Sequence, residues 1–208
     1  MSKIICKTVL CKFAFDTVSR ATHTGSFRIA ALDLSLIHIR VQYTEYGLTE
    51  NTIDTIVAAS ALHDLGKIAI PDRILLKPGR LDKDEFEYMK SHTIRGCEIL
   101  ESMKVEWNPA MKEISLEIIR HHHERYDGKG YPDGLKGDEI PISAQLVSVA
   151  DVYDALINER CYKDAYSKEE AFHMIMNGEC GAFSPKLLET FRSVKKQFEE
   201  LSEEKEQI

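Results

Sequence analysis

The chain of 208 residues is long enough for one domain with a substantial core and too short for two large ones. Its composition, 43% hydrophobic and 29% charged, is ordinary for a soluble globular protein, and no apolar stretch approaches the roughly 18 residues that a membrane span needs. The net charge of −7 argues against binding of duplex DNA or RNA, because such proteins neutralise phosphates with clustered lysine and arginine.

Cysteine usage indicates the compartment. The five cysteines, an odd number, contain no C-x-x-C pair, so the sequence predicts neither a disulfide framework nor a thiolate zinc site. The opening MSKIICKTVLCKFAF is short and broken by three lysines, which argues against a secretory signal peptide. We therefore expect a cytoplasmic protein in a reducing environment.

Recurring helix-start signals predict an all-α fold, because no sustained alternation of β-branched residues indicates a strand. The first clear helix is predicted to begin at Thr49 in TENTIDTIVAASALHDLG. Ile53, Ile56, Val57 and Ala61 recur there at helical spacing and define one apolar face.

The second predicted helix covers DKDEFEYMKSHTIRGCEIL. Asp82 is a candidate N-cap, and Glu85 stands three residues later, where the partner in a capping box is expected. Phe86, Met89 and Ile94 supply its apolar positions.

Two later helices are predicted from the same kind of signal. Ser167 and Glu170 repeat the capping-box pattern, and Ser184 with Pro185 combines an N-cap with a proline at the first helical position. The apolar positions that follow in the two segments are Ala171, Phe172, Ile175, Leu187, Leu188, Phe191 and Val194.

Two segments between the helices carry strong turn signals. Proline and glycine punctuate residues 71–80, in IPDRILLKPGR, and residues 127–141, DGKGYPDGLKGDEIP. We predict that both are ordered, functional loops rather than linkers. The charged end of the chain, from Gln197, is predicted to be a frayed or solvated helix.

Five of the eight histidines stand in charged surroundings at predicted helix ends. They are His63, His92, His121, His122 and His123. Neutral imidazoles and carboxylates are the usual protein ligands of iron, manganese and zinc. Each histidine alone is more often a structural residue than a ligand, so the hypothesis of a metal site depends on the whole pattern.

Carboxylates and a lysine accompany these histidines. Asp64 follows His63 directly, and Asp151 lies in LVSVADVYDAL, which we predict to be a buried helix. A buried aspartate needs a partner: a metal ion would be one, and a backbone hydrogen bond at a helix bend would be another. Lys67, one turn after Asp64, could reach a phosphate held at the metals, although any surface lysine would look the same.

Six short motifs follow one another in a particular order along the chain. From residue 63 onward the chain reads HD-x-x-K, IPDRILLKPGRL, K-x-H-x-x-x-G, HHE-x-x-DG-x-GYP, VADVYDAL and ERCYKDAYS. This order, between Tyr46 and Val194, resembles the HD-GYP family, a branch of the HD phosphohydrolases specialised for hydrolysing the bacterial second messenger cyclic di-GMP. The motif with GYP is too specific for a chance match.

The resemblance implies an all-α HD-domain helical bundle with an ordered GYP loop. It also implies two or three divalent metals, iron or manganese, held by six ligands: His63, Asp64, His92, His122, His123 and Asp151. Asp64 would bridge two metals and act in catalysis with Lys67, which matches a lysine that contacts a substrate phosphate. Arg160 and Lys163, individually ordinary solvated charges, match cationic residues that grip the dinucleotide.

The same resemblance implies partners and a reaction. Gly130, Tyr131 and Pro132 form the GYP loop, which in this family is implicated in contacts with GGDEF-domain proteins, the diguanylate cyclases. A homodimer is also compatible with it. A metal-bridging hydroxide would open cyclic di-GMP to pGpG, with a second cycle to GMP, while Lys67 stabilises charge on the phosphoryl group.

The first 45 residues depart from the family pattern. An early helix usually supplies an acidic residue and a histidine, but here His38 stands only nine residues before Gly47, and His23 has the wrong neighbours. We therefore expect an atypical N-terminal helical segment (1–45), an HD-GYP domain (46–194) and a charged tail (195–208). The departure leaves an alternative open: a catalytically impaired domain that binds cyclic di-GMP or a GGDEF partner without turnover.

Overall fold

The computed structural model describes residues 46–158, 165–193 and 195. Within them the structure is helical, with one isolated β-bridge between Asp127 and Lys136 and no strand. The α-helices are α1 (Glu50–Ser60), α2 (Asp72–Leu75), α3 (Lys83–Lys90), α4 (His92–Ser102), α5 (Pro109–His121), α6 (Ile142–Ile157), α7 (Lys168–Met176) and α8 (Pro185–Ser193), and the 3-10 helices are Leu65–Ala69 and Gly137–Glu139. The predicted all-α class is confirmed. None of these helices is long and apolar enough to cross a bilayer.

The helix starts agree with those that the sequence predicts. Thr49 caps α1. At α3 the Asp82 carboxylate accepts from the Glu85 N–H, and the Glu85 carboxylate accepts from the Asp82 N–H, both at 2.9 Å. Ser167 and Glu170 form the same reciprocal pair at α7. An N-cap of this kind stabilises a helix by about 1 kcal/mol, which explains why these boundaries are local properties of the chain.

One predicted helix is divided in two. A break at Ser91, whose hydroxyl donates to the Tyr88 carbonyl at 2.6 Å, separates α3 from α4. Phe86 and Ile94, two of the apolar positions of that predicted helix, are 47% and 40% exposed. The reason is tertiary: α4 buries the face that begins at His92, because that face packs against the first 3-10 helix and α5.

Helix α6 is the centre of the main core. Every residue from 143 to 150 is buried, as expected for a helix that is covered on all sides. It packs against α5 and α7, and α1 packs on α5. The last described helix, α8, begins at Pro185 as predicted and adds Phe191, whose ring stacks on Phe172 at 5.2 Å between centroids. The burial of residues 143–150 in α6 agrees with the buried helix predicted around Asp151.

A second, smaller core holds the first 3-10 helix against α4 and α5. Its buried residues are Leu62, Leu65, Leu100 and Ile119. A Cβ atom on Gly66 would lie 1.8 Å from the His92 carbonyl oxygen, so the two helices touch through their backbones and only glycine fits. This contact brings residues 63–64 to the first turn of α4.

Candidate metal centre

The predicted metal ligands come from four separate parts of the chain. The turn after α1 carries two of them, the first turn of α4 carries one, the turn after α5 carries two, and the middle of α6 carries one. In that order they are His63, Asp64, His92, His122, His123 and Asp151.

Asp64 lies at the centre of the cluster. Its Oδ2 is 3.3 Å from Nε2 of His63, and its Oδ1 is 3.6 Å from Nε2 of His92 and 3.9 Å from Nε2 of His122. The Nε2 atoms of His92 and His122 are 3.5 Å apart. One ligand atom from each of Asp64, His92, His122 and His123 lies within 4.8 Å of the others. The structure thus gathers these side chains around one small space.

Asp151 joins the cluster through His63. Its Oδ1 lies 3.8 Å from Nε2 of His63, and its side chain is 26% exposed. Nε2 of His63 therefore lies within 4 Å of both the Asp64 and the Asp151 carboxylates. A cation at this end of the cluster could take all three side chains as ligands.

Backbone hydrogen bonds orient three of the imidazoles. Nδ1 of His63, His92 and His122 lies 2.8, 2.8 and 2.9 Å from a carbonyl oxygen of the preceding helical turn. With Nδ1 as the donor in each bond, Nε2 of all three rings faces the cluster, and in His92 and His122, whose pKa values burial lowers, it presents a lone pair. Histidines that bind metals are usually held in this way.

The surroundings of Oδ1, one of the two carboxylate oxygens of Asp64, indicate whether the cluster could bind a cation. Oδ1 is buried and has no hydrogen-bond donor among the described residues. Burying an ionised oxygen without a partner is costly, and the neutral imidazoles around it present lone pairs rather than protons. A divalent cation would satisfy the oxygen and the Nε2 atoms together, so the residues fit a metal centre.

Burial and neighbouring charges set the protonation states. Burial lowers the pKa of His122 and lowers the pKa of His123 to about 3, so both imidazoles are neutral at pH 7. Burial opposes the ionisation of Asp64, but Lys67 and His63 hold its pKa well below the usual range. Burial also opposes a charge on His63, yet the Asp64 and Asp151 carboxylates together outweigh it and the pKa rises to about 9. A cation that binds His63 must therefore displace a proton.

Lys67 extends from the first 3-10 helix to the edge of the cluster. Its Nζ lies 2.6 Å from Oδ2 of Asp64, and 34% of its side chain is exposed. The ammonium group is therefore close to the centre and still accessible to an anion from solvent.

The GYP loop lies against one side of the centre. The ring of Tyr131 stacks on the imidazole of His123, with 4.8 Å between centroids and 29° between planes. The Tyr131 N–H also donates to the His123 carbonyl oxygen at 3.2 Å. Gly130 and Pro132 flank this ring in the sequence. The predicted GYP loop is thus in contact with a predicted ligand.

Two residues at this loop were not singled out by sequence reasoning. Nζ of Lys90 lies 5.5 Å from the centroid of the Tyr131 ring, and nothing in the sequence marks it. Glu124 is 5% exposed, and its carboxylate accepts hydrogen bonds from three backbone N–H groups of the loop. A glutamate directly after a pair of ligands and before a glycine-rich loop is the signal that could have indicated it.

Other candidates lie away from the cluster or outside the described residues. Nδ1 of His121 is 3.4 Å from Oδ2 of Asp133, beside the loop rather than in the ligand group. Arg160 and Lys163 lie outside the residues that the structure describes, as do all of the first 45 residues.

Comparison with known families identifies the chain. The sequence model described as HD domain matches residues 36–186, which is more than half of the chain. The chain belongs to the HD domain family. The resemblance to its HD-GYP branch is also confirmed.

This HD domain is similar to several curated relatives. It is 47% identical over 146 residues to the probable cyclic di-GMP phosphodiesterase of Vibrio cholerae, covering 69% of the chain and 33% of that protein. It is 46% identical over 153 residues to the cyclic di-GMP phosphodiesterase of Thermotoga maritima, covering 74% of this chain and 40% of that protein. It is 42% identical over 176 residues to the 3'3'-cGAMP-specific phosphodiesterase 2 of Vibrio cholerae, covering 85% and 32%. The chain thus spans between 32% and 40% of the length of these relatives.

Solved structures support the fold of this HD domain. The HDG"Y"P protein Bd1817 from Bdellovibrio bacteriovorus matches with a TM-score of 0.61 at 19% identity, over 92% of this chain and 63% of that one. A cyclic GMP-AMP-specific phosphodiesterase of Vibrio cholerae matches with a TM-score of 0.56 at 19% identity, over 82% of this chain and 44% of that one.

Proposed function

We propose that this HD domain is a metal-dependent phosphodiesterase that hydrolyses cyclic di-GMP to pGpG and, in a second cycle, to GMP. The observation that carries the proposal is the buried Oδ1 of Asp64, which has no donor among the described residues and lies within 4 Å of Nε2 of His92 and His122. The names of two relatives support the substrate, since both are called cyclic di-GMP phosphodiesterases.

The metal ligands in this proposal are Asp64, His63 and the four side chains around them, His92, His122, His123 and Asp151, with iron or manganese as the metals. Six ligands suit two metals, and a third would need ligands from outside the described residues. When bound, such metals lower the pKa of a coordinated water and neutralise the non-bridging oxygens of a phosphodiester, which otherwise repels hydroxide.

Lys67 is assigned to the substrate phosphate. Its ammonium is held in advance by Oδ2 of Asp64 at 2.6 Å, so it can stabilise charge that develops on the phosphoryl group with little reorganisation. Arg160 and Lys163 are assigned to the distal part of the dinucleotide. That assignment depends on the motif ERCYKDAYS alone.

The wider organisation is also a proposal. Residues 46–194 would form the catalytic domain, with 1–45 as an atypical N-terminal segment and 195–208 as a charged tail. GGDEF-domain proteins are candidate partners at Gly130, Tyr131 and Pro132, and a homodimer is compatible with the proposal. Cysteine usage supports a cytoplasmic location for this activity.

The test combines metal content with turnover. Protein purified anaerobically is expected to hold about two metals per chain and to convert cyclic di-GMP to pGpG. The assay also includes 3'3'-cGAMP, because one relative is named for that dinucleotide. Metal below about one per chain, with no product from either dinucleotide, would leave the binding module as the function.

A further inference from the structure

The buried carboxylate of Glu124 organises the GYP loop. Its Oε1 accepts from the N–H groups of Asp133 at 2.7 Å and Gly134 at 3.0 Å, and its Oε2 accepts from the N–H of Leu135 at 3.1 Å. Three successive backbone donors thus converge on one side chain nine to eleven residues earlier in the chain. The chain between them is closed into a loop by this carboxylate.

The amides, rather than a cation, compensate the charge of Glu124. Among residues 46–158, 165–193 and 195, no basic side chain forms an ion pair with it, although it is only 5% exposed. The neighbouring basic residues are otherwise engaged: Arg120 pairs with Asp133 and Arg125 pairs with Asp127. Hydrogen bonds from backbone N–H groups to an ionised carboxylate are strong, and losing the acceptor would leave these three N–H groups without this partner.

The loop is also attached to the turn that carries the predicted ligands. A Cβ atom on Gly130 would lie 2.4 Å from both the Cα of Glu124 and the N of Arg125, so the loop contacts that turn through its backbone. One residue later, the Tyr131 ring stacks on the His123 imidazole. Glu124 is the residue after His123. It therefore holds residues 133–135 of the same loop whose Tyr131 ring covers His123.

We propose that Glu124 is a positioning residue of the metal centre. It holds the loop of residues 130–135 so that Tyr131 stays stacked on His123 and keeps that imidazole turned toward Asp64. This inference rests on the proposed metal-dependent function, and it concerns a side chain outside the six proposed ligands. Partners that orient a metal-binding histidine are usually worth about 10-fold to 100-fold in metal affinity.

The test is Glu124→Gln, which keeps the size of the side chain and removes its charge. One amide NH2 group then faces a backbone N–H donor, so at least one of the three hydrogen bonds is lost. We expect a folded protein whose affinity for Mn²⁺, measured by competition with a chelator, is about 10-fold weaker than wild type. The matched control is Glu139→Gln, at an exposed glutamate of the following 3-10 helix that accepts from the Lys136 N–H; the Mn²⁺ affinity of this variant should not change.

The variant Tyr131→Leu tests whether the effect passes through the stacked ring. If it does, Glu124→Gln and Tyr131→Leu each weaken Mn²⁺ binding. The Mn²⁺ affinity of the double variant then falls by less than the product of the two single fold-changes. Multiplicative effects would contradict the route through Tyr131. If Glu124→Gln does not fold, Tyr131→Leu alone decides, because wild-type affinity in that variant also contradicts the proposal.

Wild-type protein separates this inference from the proposed function. If wild type binds no Mn²⁺, the metal-dependent function fails and the inference fails with it. If wild type binds Mn²⁺ and Glu124→Gln binds equally well but melts at a lower temperature, the proposed function stands and Glu124 only stabilises the loop.

Discussion

The two carboxylate oxygens of Asp64 face different partners. Oδ2 pairs with the ammonium of Lys67, whereas Oδ1 faces the Nε2 atoms of His92 and His122. The charge of this one side chain therefore matters both for binding a cation and for holding the lysine proposed to contact the phosphate.

Replacing Asp64 with asparagine tests the first role. Asparagine keeps the shape but removes the charge, and its NH2 group can donate to the lone pairs that a metal would use. We expect loss of bound metal in elemental analysis and loss of hydrolysis in the turnover assay. Asp127→Asn, a surface aspartate paired with Arg125, is the control and should keep both. Wild-type turnover by Asp64→Asn would contradict the assignment of the centre.

Replacing Lys67 with methionine tests the second role. The substitution keeps most of the length of the side chain but removes the ammonium that we assign to the phosphate. We expect kcat to fall by about 100-fold or more while the metal content stays at the wild-type level. Lys104→Met, at an exposed lysine, should leave kcat unchanged. An unchanged kcat in Lys67→Met would show that this lysine does not act on the reacting phosphate.

At the scale of secondary structure, the contact between the first 3-10 helix and α4 decides where the ligands lie. Local signals predict each helix start, and the capping box of Asp82 and Glu85 is an example. The break at Ser91 is different, because it lets α4 turn the face with His92 toward the 3-10 helix. Gly66 makes this approach of the two backbones sterically allowed.

Gly66→Ala tests this backbone contact. Its Cβ would lie 1.8 Å from the His92 carbonyl oxygen, so the 3-10 helix or α4 must shift. We expect the free energy of unfolding in urea to fall by about 1–3 kcal/mol, and the metal affinity to fall as well. Gly178→Ala is the control: its φ of +73° costs about 1–2 kcal/mol of strain, but it lies at the end of α7. Equal metal affinity in both variants would argue against a positioning role for this contact.

At the scale of the whole molecule, the candidate metal centre joins parts of the fold that are distant in sequence. Its side chains come from the turn after α1, from α4, from the turn after α5 and from α6. A ligand that binds only the folded state stabilises it, and a preformed set of ligands is absent from the unfolded chain. Metal binding should therefore stabilise the native domain as a unit.

Removal of metal tests this expectation. At 100 times the dissociation constant, a bound metal adds about 2.7 kcal/mol, which for a chain of this size raises Tm by about 5–10 °C. Calorimetry of the protein with Mn²⁺ and with a chelator measures the difference. Asp64→Asn should melt at the same temperature under both conditions. The same shift in that variant would mean that the metal binds elsewhere.

The sequence by itself determined the helical class, the starts of α1, α3 and α7, and the set of imidazoles and carboxylates able to bind a metal. These features depend on interactions within a few residues, or on side-chain chemistry alone. Only the tertiary structure decided the break at Ser91, the exposure of Phe86 and Ile94, and the burial of Glu124 under the GYP loop. Each of these depends on which helix faces pack together, and packing between residues tens of positions apart leaves no local pattern in the chain.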